Sequence, residues 1–361
     1  MSGFQISLLI ALLVLAPFLV VGGITCAVWL NMRAARFLER AEPQDAWQER
    51  VFGGETRATA LARGHGVLRE GYWQSVAWAS QGLHHVKPFR FPRPLRGGGL
   101  PVVLVAGYVE NSSLMVSLGR RLQREGYQPV LLDLPSTFHA IEDNVAWLAE
   151  RLAEIRAESG YERVGYVGHS MGGVVGRVCT LRSQDPGIAL MISLASPHRG
   201  THLANFGLGQ SARDMRCASA FAKRYPADAV GHAPICSVIA REDNIVSPAW
   251  SAVLPHAETV LTQAPLGHTG ILFDAEVHEL VLGWLGLITP ELGRWAASAP
   301  PVTTCPQIAA ASGQKEAQWT SSTASQPASS WRPARGSATT TSSCCPATLT
   351  FTTRRSISGR N

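Results

Sequence analysis

No disulfide framework, no zinc-ligand repeat and no charged face can be found in this sequence. Its seven cysteines are odd in number and irregular in spacing, which excludes a fold stapled by disulfides or built on a Cys-rich metal. Cys217 and Cys236 flank a segment without periodicity, where two thiols are expected and pairing in an oxidising compartment is the alternative. Charged residues fill only 16% of the 361 positions against 46% for hydrophobic ones, the balance of a globular chain able to bury a sizeable core. The net charge of +6 is misleading as a guide to partners. Beyond residue 299 stand Lys315, Arg332, Arg335, Arg354, Arg355 and Arg360 with only Glu316 against them, a net +5 that leaves +1 for everything before. No basic face with interleaved aromatics stands out, so nucleic acid is not an expected partner.

Charge is missing altogether from Phe4 to Leu30, where Leu, Ile, Val and Ala dominate. As a helix this stretch would span about 40 Å, more than the hydrocarbon core of a bilayer. It has no basic run in front and no small-x-small cleavage site behind, which favours an uncleaved single-pass anchor over a signal peptide. Pro17, Gly22 and Gly23 are tolerable in such a helix. Arg33, Arg36 and Arg40 follow it, and the positive-inside rule then puts the next domain in the cytoplasm, with the periplasm as the alternative. Residues 1–32 are thus read as a transmembrane anchor. Residues 33–95 form an extension in which Tyr72 to Phe91 reads as a hairpin or a covering segment. His84 and His85, being adjacent, cannot easily face one ion. Residues 299–361, rich in Ser, Thr, Ala, Pro and Gln and without periodicity, are expected to be a disordered tail.

Between these ends a regular rhythm appears. Pro101 to Ala106 is a continuous apolar run that reads as a buried strand. Ser113 to Glu125 carries Met115, Leu118 and Leu122 on one face and Arg120, Arg121 and Arg124 on the other, a helix closed by Gly126. A strand over Gln128 to Leu134 precedes an amphipathic helix over His139 to Ser159, whose Ile141, Val145, Leu148, Leu152 and Ile155 form one stripe. Strands follow at 163–167, 188–195, 234–240 and 258–263, and Asp274 caps a last helix. Strands alternating with helices predict an α/β domain over residues 96–298, its mainly parallel sheet covered on both faces. Residues 201–233 lack a strong period and are expected to form a small inserted cap.

The chemistry gathers at Gly168-His169-Ser170-Met171-Gly172-Gly173, set between a strand and a helix. Gly-x-Ser-x-Gly there makes a turn so tight that small residues must flank the serine, and it lifts the Ser170 hydroxyl clear of the sheet. A serine needs a base, and the base an orienting acid, in the chain order Ser, Asp or Glu, His. Asp243, in the loop after the strand 234–240, is the favoured acid over its neighbour Glu242. His268, between the last strand and the last helix, is the base; His256 and His278 are read as structural or exposed, and His169 as packing beside the serine. Two backbone N–H groups are needed for an oxyanion, and Met171 and Tyr108 are the candidates, Gly107 permitting the turn that would aim the latter.

These residues resemble the α/β-hydrolase superfamily and, within it, bacterial triacylglycerol lipases and esterases. Val102 to Tyr108 is similar to their oxyanion strand and loop, Gly168 to Gly173 to their elbow, and Ala195 to Thr201 to the segment after their next strand. One departure is that their usual His-Gly is Ala106-Gly107 here. The resemblance implies an α/β-hydrolase fold and hydrolysis of a carboxylic ester, lipid-like in view of the anchor, through an acyl-enzyme on Ser170 without a cofactor. A thioesterase, amidase or acyltransferase would use the same three residues, and a catalytically retired binding protein would have lost one. Related lipases can bind structural calcium, but no pair of carboxylates suggests it here and no metal is expected.

Overall fold

In the computed structural model, the described residues are 60–82 and 96–288 except 263, with residues 91 and 94 and short helical pieces between 22 and 34. The predicted anchor, the His84-His85 pair and the tail lie mostly or wholly outside them. Among the described residues no helix is long and apolar enough to cross a membrane.

Six strands form one sheet in the order β2-β1-β3-β4-β5-β6, every neighbouring pair parallel. They are β1 (Pro101–Val105), β2 (Gln128–Leu132), β3 (Val164–His169), β4 (Ile188–Leu194), β5 (Ile235–Ile239) and β6 (Glu258–Leu261). β1, β3 and β5 are buried along their whole length, which is why β1 reads as an unbroken apolar run and none of the three alternates apolar with charged residues. Alternate side chains of β1 divide between two cores. Val102 and Leu104 join Leu118 and Leu122 of α2 (Val116–Arg124) and Val277, Val281 and Trp284 of α7 (Ala275–Leu285). Val103 and Val105 join Ile141, Val145 and Leu148 of α3 (Ile141–Ser159) and Val174, Val175 and Val178 of α4 (Met171–Arg182). Gly160, left-handed at φ 78°, closes α3, and the Asp274 carboxylate caps α7 through the N–H groups of Glu276 and Val277.

The sheet order reverses at β1, whose successor β2 lies on one side and β3 on the other. Loops leaving the carboxyl ends of β1 and β3 therefore diverge and open a crevice, the usual place for a ligand in such sheets. The segment expected as a cap, between β4 and β5, holds two short helices, α5 (Gly209–Asp214) and α6 (Ala220–Arg224). It is tied down. Asp214 Oδ2 accepts the Ile141 N–H at 3.0 Å and so caps α3, while buried Arg177 of α4 donates to the carbonyls of Tyr225, at 3.2 Å, and Pro226. Cys236 on β5 takes part in a disulfide in which Cys217 is not the partner, which corrects the expected pair of thiols at Cys236.

A second correction concerns the extension. Ala60–Gly82 is a helix, α1, where a hairpin or covering segment was expected around Tyr72. Gly64, Gly66 and Gly71 lower its intrinsic propensity, so tertiary contacts decide. The Trp73 ring stacks on Phe273 at 4.4 Å between centroids, and Ala77 is fully buried. Glu70, 1% exposed, accepts the N–H groups of Thr269 at 2.7 Å and Gly270 at 2.8 Å. Burial raises the Glu70 carboxyl, and those two N–H groups with His268 offset it only in part. Glu70→Ala strands both donors in the interior, and Glu70→Gln turns an amide N–H₂ against one of them. Each variant is expected to lose about 1–3 kcal/mol, read as a lower urea midpoint at unchanged m-value.

Candidate active site

Four loops at the carboxyl ends of β1, β3, β5 and β6 carry the residues singled out from the sequence. Ser170 is the single residue between β3 and α4, and its backbone sits at φ 52°, ψ −123°, a region that costs a non-glycine residue of order 1–3 kcal/mol. Its N–H is held by the Leu194 carbonyl at 2.9 Å. The flanking glycines have no space for a side chain. A Cβ on Gly168 would come within 2.5 Å of the Gly173 nitrogen, and one on Gly172 within 2.5 Å of the Val105 carbonyl oxygen. The amino end of α4, with its unspent N–H groups and positive dipole, thus lies directly behind Ser170.

Asp243 and His268 meet in the interior, the imidazole Nδ1–H donating to Asp243 Oδ2 at 3.0 Å. Asp243 Oδ1 accepts the N–H groups of Ile245 at 2.9 Å and Val246 at 2.7 Å, which fixes the carboxylate. Asn244 Oδ1 accepts the His268 N–H at 3.1 Å and so joins the two loops. It is Asp243, not the adjacent Glu242, that faces the ring. Burial pulls the His268 pKa down, but the charge and hydrogen bond of Asp243, then the charges of Glu110 and Glu70, outweigh it and raise the pKa above its ordinary value of 6.5. His278 is buried and bonds the Leu272 carbonyl at 2.8 Å, a structural role.

Tyr108 lies in the loop after β1, whose Gly107 abuts Ser170, and Met171 is the first residue of α4. Gly107 has no left-handed backbone; it is small because a Cβ would lie 2.6 Å from Ser170 Cβ and 2.7 Å from Glu110 Oε2. The strained residue is Val109, at φ 55°, an unusual conformation for a β-branched side chain. The Tyr108 hydroxyl donates to the Leu208 carbonyl at 2.8 Å and accepts the Leu208 N–H at 2.9 Å, clasping the loop to the segment between β4 and β5.

Sequence reasoning missed Glu110 and the use made of His169. Glu110 Oε2 accepts the Gly107 N–H at 2.7 Å and meets His169 Nδ1 at 2.9 Å. His169 Nε2–H donates to the His268 carbonyl at 3.0 Å, and the two imidazole centroids stand 4.6 Å apart. Burial alone would raise the Glu110 carboxyl, yet the charge and hydrogen bond of His169, the charge of His268 and the Gly107 N–H outweigh it and hold it below its ordinary value. The signal was present, since Glu110 is the sole charged residue between Pro101 and Asn111.

Residues 101–216 match the family model for the alpha/beta hydrolase fold. Among curated proteins none matches the chain in sequence. Solved structures similar to it include Aspergillus fumigatus lipase B, at 18% identity and a TM-score of 0.47 over 55% of this chain, which spans 55% of that one. Bacillus licheniformis lipase BlEst2 in mature form is similar at 17% identity and a TM-score of 0.45 over 55% of this chain and 96% of that one. The naproxen esterase of Bacillus subtilis gives 14% and 0.40 over 53% and 85%. The family match over residues 101–216 and the six parallel strands in their observed order give the described domain an α/β-hydrolase fold.

Proposed function

We propose that this protein is a serine hydrolase of carboxylic esters, with Ser170 as nucleophile, His268 as general base and Asp243 as the acid that orients it. The observation that carries the reading is the buried Asp243–His268 hydrogen bond of 3.0 Å beside a serine held at φ 52° on a strand-to-helix turn. His268 Nε2 takes the Ser170 proton as Oγ attacks the ester carbon. The tetrahedral oxyanion is met by the N–H groups of Tyr108 and Met171, at the amino end of α4. His268 then protonates the departing alcohol, and water releases the acid from the acyl-enzyme in the same way. The three side chains, the two backbone N–H groups and water account for every step.

A lipid-like substrate is supported by the apolar side chains around the Tyr108 loop. Val109, Phe138, Phe206 and Leu208 are all exposed, and Tyr108 packs edge-on against Phe138 at 6.0 Å while clasping Leu208. The uncharged stretch Phe4 to Leu30 supports a single membrane anchor that would hold this rim near a bilayer, with the catalytic domain on the cytoplasmic side by the charge rule.

Hydrolysis of p-nitrophenyl esters from acetate to palmitate tests the reading on the full-length protein, a chain lacking residues 1–30, and Ser170→Ala. Turnover is expected to rise with chain length and to fall by at least about 10³-fold in Ser170→Ala, which also loses fluorophosphonate labelling. Activity confined to short chains identifies an esterase without lipid preference. Thioester or acyl-transfer chemistry takes its place if no ester is turned over by Ser170.

The pH profile follows from His268. The base acts in its neutral form, and its pKa is raised, so kcat/KM is lost as pH falls through a value above 6.5. Glu110→Gln removes one of the charges that raise it, and the acidic limb is expected to move to lower pH. A limb that stays in place would show that Glu110 does not act on the base.

A further inference from the structure

One ligating atom each from Glu110, His169 and His268 lies within 4.8 Å of the other two. Hydrogen bonds already select which atoms these are. His268 gives its Nδ1–H to Asp243 Oδ2 at 3.0 Å, leaving Nε2 with an uncommitted lone pair. His169 gives its Nε2–H to the His268 carbonyl at 3.0 Å, turning Nδ1 toward Glu110 Oε2 at 2.9 Å. Metal-binding histidines are held in this manner, the non-coordinating ring N–H donating to a carboxylate or a backbone carbonyl. Here one imidazole has the first kind of support and the other the second. The two rings are buried, whereas the Glu110 side chain keeps 13% exposure and gives a path in from solvent.

We propose that Glu110 Oε2, His169 Nδ1 and His268 Nε2 form a binding site for a divalent transition ion, with Zn²⁺ the best match to the donor set. Two imidazoles and one carboxylate are a set that zinc takes with its fourth position open. Ligand atoms on a tetrahedral zinc stand roughly 3.3 Å apart at bond lengths of about 2.0–2.1 Å, so His169 Nδ1 and Glu110 Oε2, now 2.9 Å apart, need only part slightly while His268 Nε2 draws in by at most about 1.5 Å. Without the ion a proton bridges Nδ1 and Oε2; the ion takes its place and that proton leaves to water. The lone pair of His268 Nε2 is then committed to the metal and no longer accepts the proton of Ser170. The ion is an inhibitor of the serine chemistry. The site stands on hydrogen bonds and distances alone; only its inhibitory effect rests on the proposed ester hydrolysis.

Co²⁺ titrated into the full-length protein, followed by its visible absorption and by displacement with Zn²⁺, tests the site directly. One Co²⁺ per chain is expected, with Zn²⁺ affinity reduced at least about 10-fold in Glu110→Ala, Glu110→Gln and His268→Ala, and retained in Ser170→Ala. Thermal unfolding of each variant separates a lost ligand from a lost fold. Equal affinity in wild type and in folded Glu110→Ala and Glu110→Gln, or the absence of a one-to-one complex, overturns the site. Fluorophosphonate labelling of Ser170 that slows in Zn²⁺ and recovers with a chelator supports inhibition, and labelling unchanged by the bound ion overturns it. Failure to label Ser170 in metal-free protein counts against ester hydrolysis and leaves the site to be judged by the Co²⁺ spectrum.

Discussion

A residue that must sit at φ 52° can be kept there only if everything around it is over-determined, and the centre of this molecule is arranged to do that for Ser170. From Met171 to Thr180 every residue of α4 is buried, so the helix cannot slide to relax the turn. Its first turn is fixed on two sides. The Tyr166 hydroxyl of β3 donates to the Gly172 carbonyl at 2.7 Å, and Gly172 lies against the carbonyl oxygens that end β1. The Ser170 N–H is meanwhile committed to β4. Three adjacent strands and one helix therefore share the strain, and it is their parallel order that brings the loops after β1, β5 and β6 to the same end.

Electrostatics around His268 follow from that convergence. Asp243 touches the ring, but Glu110 and Glu70 also act on it, from the loop after β1 and from α1. At a separation within 4.8 Å and an effective dielectric near 20, the attraction between Glu110 and an imidazolium is about 3–4 kcal/mol, enough to compete with the desolvation of a buried ring. The same charge would oppose an oxyanion forming nearby. His169 and the Gly107 N–H both face the carboxylate and offset part of its charge at either place.

What the sequence made legible was whatever repeats or follows a strand. The continuous apolar run predicted β1, the stripe Ile141–Val145–Leu148–Leu152 predicted α3, and the rule that reactive groups follow strand ends singled out Asp243 and His268, which the fold brings into a hydrogen bond. Contacts between distant segments left no such trace. Glu70 lies 199 residues from the Thr269 N–H it binds, and its helix, interrupted by glycines, carries little propensity of its own. Gly107 was legible as a glycine but not for its reason. A turn explains it in one dimension, whereas in three the cause is the Ser170 Cβ against which no side chain fits. The left-handed residue of this loop is Val109, which no local rule would have chosen.

Ala106 and Glu110 are best understood together. The resemblance to lipases and esterases would place a histidine where Ala106 stands, and without it the loop needs another support. Here the support comes from the other side of the turn. Glu110 reaches back to the Gly107 N–H and across to His169, and His169 in turn holds the carbonyl of His268. A chain of three hydrogen bonds thus connects the backbone at Gly107 to the backbone at His268. That connection demands an acceptor at position 110, a ring with two usable nitrogens at 169, and an N–H at 107 with no side chain above it. The loop thereby presents a carboxylate and two oriented imidazoles at the strand ends, the donor set on which the proposed cation site rests.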